Sequence, residues 1–226
     1  MTEWRSITSR AYWVATVALL AIALALAALA PSMGPIQKIF YLHLPVAINT
    51  LLSALVMCIA CVGYLGGRRQ MWDDLAHAAA RVTVLNATVL LLTGMFWARM
   101  AWGQWWTWSP RLAFSLLMWL LYAAYLALRP MIDSVPRRAM VCAVYGIIAF
   151  LDVPLVYLSV KLLPDIHPTS IELAPDMRRL LLFWFVPVTM LRAGLVAARF
   201  SLTPRSPEAR REPNRNGPLR PTGVPT

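Results

Sequence analysis

Residues 11–30 read AYWVATVALLAIALALAALA, a stretch without a charged side chain that follows Arg5 and Arg10. A helix needs about 20 apolar residues to cross a hydrocarbon core ~30 Å thick. Ala28-Leu29-Ala30 resembles a signal-peptidase site, but Pro31 follows it directly. The apolar region of a signal peptide is also shorter, about 7–15 residues. The stretch therefore predicts a retained transmembrane helix.

Five more apolar runs of similar length follow along the chain. The whole chain is 59% hydrophobic and 14% charged, whereas a soluble domain has about 25% charged residues. A helix satisfies its own backbone hydrogen bonds inside lipid, where water cannot do so. The predicted fold class is all-α, a polytopic integral membrane protein with six transmembrane helices. The predicted spans are residues 11–30, 45–65, 78–98, 112–128, 139–160 and 180–198.

Proline marks two predicted kinks and a tail. Pro154 and Pro187 fall inside the fifth and sixth spans, where each removes a backbone hydrogen bond. Residues 201–226 contain six prolines and five arginines and almost no apolar side chains. A segment of that composition cannot bury enough surface to become ordered. We predict a transmembrane domain over residues 1–200 and a disordered, basic, cytoplasmic tail over residues 201–226.

The net charge of +11 is distributed unevenly along the chain. If the N-terminus is cytoplasmic, fourteen of the 21 Lys and Arg residues fall in cytoplasmic segments and six fall in outer loops. Cytoplasmic loops carry the excess of Lys and Arg, so both termini are predicted to be cytoplasmic. These residues lie at helix ends and in the tail, where they set topology and contact membrane lipid. They do not indicate a nucleic-acid partner.

Tryptophan is concentrated in one of the three predicted outer loops, which are residues 31–44, 99–111 and 161–179. Residues 97–111 read WARMAWGQWWTWSPR and hold five of the ten tryptophans. Trp102, Trp105 and Trp106 have helical spacing, so a short helical turn would place them on one face. One interpretation is an aromatic belt, but a belt is normally shared among helix ends on both sides of the membrane. The other interpretation is a binding platform.

The end of this tryptophan-rich loop resembles the start of a helix. Ser109 is favoured at the N-cap and Pro110 at the first helical position, so the pair predicts the beginning of the fourth helix. Arg111 then lies in the first turn. It is interpreted either as an interfacial anchor or as the partner of an anionic ligand group.

Two features inside the apolar runs need a separate interpretation. Asp152 lies in the fifth run, where a carboxylate is costly and indicates a polar contact inside the bundle. It is expected to be protonated or paired with Asn86 or Asn49. Cys58 and Cys61 have the spacing of a redox motif, but their apolar surroundings favour buried helix residues.

The outer loops together fit a flat, apolar ligand with anionic edges. His43 lies in the first loop and His167 in the third, whereas His77 lies at the inner face. Indole faces can stack on a macrocycle, and two neutral imidazoles can hold its iron. Haem with two axial histidines fits this description; the alternative is that both histidines are ordinary polar loop residues. Basic side chains of the same loops would meet its carboxylates: Arg111, Lys161, Arg178 and Arg179.

Three segments match the motifs of a known family. Residues 102–111, WGQWWTWSPR, resemble the haem-handling WWD signature W-G-x-W-W-x-W-D-x-R. Residues 40–45, FYLHLP, resemble the segment before the second helix of the cytochrome c maturation protein C family (CcmC, haem exporter protein C). DVPLVYLSV at 152–160 and LPDIHP at 163–168 resemble the family's fifth helix and the loop after it. The resemblance covers residues 10–200.

The resemblance implies a protein that binds haem b at the outer face of the bacterial inner membrane. It would deliver the haem to a periplasmic haem chaperone, CcmE, for maturation of c-type cytochromes. The implied axial ligands of the haem iron are His43 and His167. The other implied partners are the ABC-transporter subunits CcmA and CcmB and the small protein CcmD. The implied haem-binding residues are Trp102, Trp105, Trp106, Trp108 and Arg111.

The chain departs from the family pattern at two places. Ser109 replaces the usual Asp of the motif, which keeps a helix-capping residue but loses a negative charge. Leu162 and Leu163 replace an aromatic pair before the second histidine, which thins the aromatic wall on that side. Both changes predict altered haem handling.

Three functions compete at this point. The leading one is a haem-delivery protein that is not an enzyme, since no nucleophile or general-base constellation is visible. The second is a membrane permease or complex subunit without a bound cofactor, whose tryptophans are anchors. The third is a membrane electron-transfer protein, which is disfavoured because such proteins usually carry their haem ligands within helices rather than in loops.

Overall fold

The computed structural model describes residues 9–30, 35–163, 167 and 173–202. Within these residues the chain is helical and contains no strand. Six segments are long and apolar enough to cross a membrane, which confirms the predicted all-α, polytopic fold class. The helices are α1 (Arg10–Leu29), α2 (Pro35–Gly67), α3 (Gln70–Trp102), α4 (Pro110–Leu128), α5 (Val135–Phe150), α6 (Asp152–Leu162) and α7 (Pro175–Ser201). A 3-10 turn at Arg129–Met131 extends α4, and α5 and α6 together form the fifth span.

The second helix is longer than the sequence predicts. α2 has 33 residues and runs through Pro45, which the hydropathy pattern suggested as its start. A membrane helix tolerates an internal proline when its surroundings compensate the lost backbone hydrogen bond. His43 therefore lies on a helix, and the prediction that it lies in an outer loop is wrong.

Pro154 interrupts the fifth span, as its position predicts. A proline ring clashes with the carbonyl four residues earlier, here that of Phe150, and has no N–H to offer it. α5 ends at Phe150, and α6 begins at Asp152 after a one-residue turn. Pro187 lies inside α7, which continues through it without a break.

Small residues allow the helices to approach one another closely. α2 packs against α3, α5 and α7, and α1 packs mainly on α7. A methyl group added at Gly146 of α5 would lie 2.6 Å from the sulfur of Cys61 and 2.8 Å from the terminal methyl of Met57, both on α2. One added at Gly194 of α7 would lie 2.7 Å from the ring of Tyr12 on α1. Transmembrane helices associate largely through such packing, since lipid is as apolar as the side chains.

A buried ion pair joins two helices at the end of the bundle where α3 begins and α4 ends. The guanidinium of Arg129 donates hydrogen bonds to both carboxylate oxygens of Asp73, at 2.7 and 2.8 Å. It also donates to the hydroxyl of Tyr125 at 3.0 Å, and Gln70 donates to Asp73 at 2.8 Å. Arg129 thus forms two of its hydrogen bonds with a charged partner, the stronger kind of hydrogen bond.

The predicted tail at residues 201–226 lies outside the described residues, apart from Ser201 and Leu202. Its disorder and the domain division at residue 200 stay predictions. The cytoplasmic location of both termini is a prediction as well.

Candidate haem-binding site

A cavity lies at the end of the bundle where α3 ends and α4 begins. Its volume is about 400 Å³, within the ~300–1,000 Å³ typical of pockets for small molecules and cofactors. Residues of α2, α3, α4, α6 and α7 line it, together with Trp106, His167 and Leu173, and most of the lining side chains are apolar or aromatic. The distribution of Lys and Arg predicts that this end of the bundle is the outer one.

His43 lines the cavity from α2 and is held against α3. Its Nδ1 lies 2.9 Å from the hydroxyl oxygen of Thr93. The same hydroxyl lies 2.8 Å from the carbonyl oxygen of Val89 and 3.1 Å from that of Leu90. A methyl group added at Gly94 would lie 3.2 Å from Cε1 of the imidazole, so the ring occupies the space that this glycine leaves.

His167 lies at the same cavity, as the sequence predicts. The guanidinium of Arg111, in the first turn of α4, donates a hydrogen bond to His167 Nδ1 at 3.2 Å. The indole of Trp97 lies beside the imidazole, with ring centroids 6.4 Å apart. The cavity therefore brings together three of the residues singled out from the sequence, namely His43, His167 and Arg111.

Three tryptophans form the aromatic wall of the cavity. They are Trp97, Trp102 and Trp106. Trp97 and Trp102 meet edge to face, with centroids 4.9 Å apart and planes at 84°. Such edge-to-face pairs contribute about 0.5–1.5 kcal/mol beyond the burial of their area, so they stabilise a defined wall.

The helical turn expected beyond Trp102 does not form. α3 ends at Trp102, and Gly103 adopts a left-handed conformation with φ of 75°. Its N–H donates to the carbonyl of Arg99 at 3.1 Å, and the Arg99 side chain donates to the Gly103 carbonyl. A left-handed glycine is a common helix stop because it has no Cβ to clash. The helical spacing therefore gave a wrong prediction for residues 103–106.

Two of the five predicted haem-binding side chains lie outside the cavity as a result. Trp105 is 51% exposed and packs edge to face on Phe96 at 5.7 Å, with the guanidinium of Arg99 over its ring at 5.9 Å. Trp108 is 77% exposed and packs edge to face on Trp106, with ring centroids 5.8 Å apart. Both side chains form a rim beside the cavity mouth rather than its wall.

Ser109 occupies the predicted N-cap of α4, with Pro110 at the first helical position. Its carbonyl accepts from the N–H of Ala113 at 2.9 Å, but its hydroxyl forms no capping bond. Three buried donors of this loop have no hydrogen-bond partner among the described residues: Trp106 Nε1, Thr107 Oγ1 and Ser109 Oγ. Buried polar groups are normally hydrogen-bonded, so such a cluster is consistent with a ligand or partner that completes it.

Sequence reasoning missed the lining residues Trp97 and Gly94, and it also missed Thr93, which contacts the lining residue His43. Trp97 was not among the predicted site residues although it belongs to the tryptophan cluster, and neither Thr93 nor Gly94 carried any motif. The available signal was helical spacing, since the lining positions on α3 include Leu90, Gly94 and Trp97, three or four residues apart. One face of an α-helix repeats at that spacing.

Asp152 lies outside the cavity and pairs with neither of its expected partners. It is 4% exposed, and neither carboxylate oxygen has a hydrogen-bond partner among the described residues. Asn49 donates to Pro45 and accepts from Arg192 instead. The amide nitrogen of Asn86 is also without a hydrogen bond within the described part of the chain.

The remaining histidine and cysteine residues lie away from the cavity. Arg81 donates to His77 Nε2 at 3.1 Å on the first turns of α3, at the opposite end of that helix. Cys58 and Cys61 are free thiols inside α2, in agreement with their interpretation as helix residues. A second depression of about 460 Å³ lies between α1 and α7, lined by neither a histidine nor a charged side chain.

Comparison with known proteins places the chain in a family. It matches the family model described as heme exporter protein C, CcmC, over residues 2–212. It is 35% identical to Heme exporter protein C of Bradyrhizobium diazoefficiens over 177 residues, which cover 75% of this chain and 67% of that protein. It is 32% identical to the protein of the same name from Rhodobacter capsulatus over 127 residues, 54% of this chain and 52% of the relative.

A more distant likeness links the chain to cytochrome c biogenesis. It is 36% identical over 96 residues to the cytochrome c biogenesis protein CcsA of Prochlorococcus marinus, covering 42% of this chain and 29% of that protein. The chain thus spans two thirds of the Bradyrhizobium relative and about half of the Rhodobacter one. The family match covers almost the whole chain, and the structure has six apolar helices and two histidines at one cavity lined by tryptophan. The protein belongs to the heme exporter protein C family.

Proposed function

We propose that the protein binds haem b at the outer face of the bacterial inner membrane and delivers it to a periplasmic, CcmE-like haem chaperone for c-type cytochrome maturation. Its family supports a role in haem handling during cytochrome c biogenesis. The observation that carries the proposal is that His43 and His167 line one cavity, whose aromatic wall is made of indoles.

The residues of the cavity suit a haem in their chemistry. Apolar and indole surfaces accept the macrocycle, and neutral imidazoles are common iron ligands. The guanidinium of Arg111 lines the same cavity and can pair with a carboxylate in a bidentate way. The indole N–H of Trp106, which has no hydrogen-bond partner among the described residues, adds a donor for an anionic edge.

Each predicted residue then has a role that follows from its position. His43 and His167 would hold the haem iron, Trp102 and Trp106 would contact the macrocycle, and Arg111 would pair with a haem carboxylate. Trp105 and Trp108, on the exposed rim, are better placed to contact the chaperone than to hold the haem. The bound haem supplies the iron and the reactive vinyl groups, so we propose a handling role for the protein rather than a catalytic one.

The proposed partners are the chaperone, the ABC-transporter subunits CcmA and CcmB, and CcmD. This setting requires a multi-pass protein with its cavity on the periplasmic side. Cysteine accessibility at Gln104, an exposed residue of the loop beside the cavity, tests the topology. A membrane-impermeant maleimide should label Gln104→Cys in intact spheroplasts, and Asp133→Cys only after lysis. Labelling of Asp133→Cys alone in intact spheroplasts would contradict the topology.

The absorbance spectrum of detergent-purified protein tests haem binding. The wild type, expressed in haem-replete cells, should show a Soret band that weakens strongly in both His43→Ala and His167→Ala. The matched control is His77→Ala, which removes a histidine of the same chain far from the cavity and should keep the band. A colourless wild type, or equal loss in all three variants, would count against the proposal and favour a permease or subunit without a cofactor.

A membrane electron-transfer protein was disfavoured because both histidines were expected in loops. That reason no longer holds, because His43 lies on a helix. The family match now argues against it instead, since the matching proteins bear the names of haem exporters and cytochrome c biogenesis proteins.

A further inference from the structure

We propose that Thr93 is a positioning residue for haem ligation, whose hydroxyl holds His43 in the tautomer that presents Nε2 as the iron ligand. This inference rests on the proposed haem-binding function. It adds to that function a residue outside the family motif and a defined protonation pattern for the His43 ring.

The hydroxyl proton of Thr93 is committed to the backbone. The oxygen lies 2.8 Å from the Val89 carbonyl and 3.1 Å from the Leu90 carbonyl, and both carbonyl oxygens can only accept. A hydroxyl has one proton to donate and two lone pairs with which it can accept. The proton therefore points into the helix, and the lone pairs remain for the contact with His43.

The direction of the 2.9 Å hydrogen bond between His43 Nδ1 and Thr93 Oγ1 then follows. We assign Thr93 as the acceptor there, so that Nδ1 of His43 carries the hydrogen. In a neutral imidazole the other nitrogen, Nε2, then has the lone pair. Metal-bound histidines usually donate their second N–H to a fixed acceptor in this way, which sets the tautomer and the ring orientation.

Gly94 gives the ring the room that this arrangement needs. A Cβ at that position would lie 3.2 Å from Cε1, closer than ordinary van der Waals contact. Thr93 and Gly94 are consecutive residues of α3, so one helix turn provides both the acceptor and the space for the His43 ring. The His43 side chain is thus held in one ring orientation in the cavity wall.

His167 has the opposite arrangement. A guanidinium can only donate, so Nδ1 of His167 accepts from Arg111 and does not carry a hydrogen in this contact. Removal of the Thr93 hydroxyl should therefore alter the His43 side of the site and leave the Arg111–His167 contact in place.

The test uses the full chain purified in detergent and titrated with hemin. Thr93→Val keeps the β-branched shape but removes the acceptor, and should weaken hemin binding about 10- to 100-fold, as the loss of a hydrogen bond to a metal ligand does. Thr93→Ser keeps the hydroxyl and should bind within about 3-fold of the wild type. The matched control is Thr83→Val, which removes a threonine hydroxyl from the same helix. Among the described residues that hydroxyl forms one hydrogen bond, to the Ala79 carbonyl at 2.9 Å.

The reduction potential separates positioning from mere packing. The N–H bond to Thr93 makes the imidazole a stronger donor, so its loss should shift the potential of bound haem to more positive values. Thr93→Val should show this positive shift of the reduction potential, whereas Thr93→Ser should have the potential of the wild type. If Thr93→Val cannot be purified as a monodisperse protein, Thr93→Ala replaces it in the same comparison with Thr93→Ser.

Two results would overturn the inference. One is wild-type hemin affinity and potential in a folded Thr93→Val or Thr93→Ala protein. The other is an equal effect in Thr83→Val. Both differ from failure of the proposed function, in which the wild type itself would not bind hemin.

Discussion

The Arg129–Asp73 pair allows a large stability effect to be predicted from distances and burial. Its two hydrogen bonds are 2.7 and 2.8 Å long, and the side chains of Arg129 and Asp73 are 8% and 2% exposed. Removing one member of a buried pair leaves an uncompensated charge and costs about 3–5 kcal/mol. For Asp73→Asn this corresponds to a roughly 100- to 4,000-fold larger unfolding constant, at 1.4 kcal/mol per factor of ten.

Equilibrium unfolding of the detergent-solubilised protein by SDS, followed by tryptophan fluorescence, measures this difference. The matched control is Asp176→Asn, which removes the carboxylate that lies 3.7 Å from Arg179. Those side chains are 83% and 78% exposed, and an exposed pair contributes at most about 1 kcal/mol. The double variant Asp73→Asn/Arg129→Gln should be less destabilised than the sum of the two single variants, because neither charge is then left alone. Equal stability of Asp73→Asn and Asp176→Asn would refute the reasoning.

Three further predictions concern the packing and the cavity. Gly146→Ala should lower the SDS midpoint through overpacking of about 1–3 kcal/mol, whereas Gly66→Ala, with open space around its added methyl group, should leave it nearly unchanged. Gly103→Ala should destabilise the protein by about 1–2 kcal/mol, the strain of a left-handed alanine, as measured by the same titration. Trp106→Ala should lower the hemin affinity of the purified protein, and Trp105→Ala should retain it, since only the first side chain lines the cavity; equal losses in both would contradict this wall assignment.

Hydropathy predicted the number of membrane spans correctly because each span must satisfy its own backbone in lipid. It placed helix ends less well. Pro45 looked like a beginning because proline rarely lies within soluble helices, yet α2 continues ten residues before it to Pro35. Charged residues near helix ends were also assigned to loops incorrectly. Arg99 lies on α3 and Arg178 lies on α7.

The sequence predicted part of the candidate site. Topology placed His43 and His167 near the same loop, and both line the cavity. Helical spacing failed as a guide beyond Gly103, where α3 stops: Trp106 lines the cavity, whereas Trp105 does not. Thr93 could not be predicted, because its contact joins two helices and depends on how they pack, which no local pattern encodes.

The hydrogen bond from Arg111 to His167 implies a competition for one cation. A carboxylate that enters the cavity offers the guanidinium a charged acceptor, which it should prefer to a neutral imidazole. On the proposed assignment, a carboxylate paired with Arg111 would leave Nδ1 of His167 without this donor, so that its lone pair could hold the iron. Porphyrin esters, which lack the anionic groups, would leave His167 tethered to Arg111, so the site would discriminate among iron porphyrins by their side chains as well as by their metal.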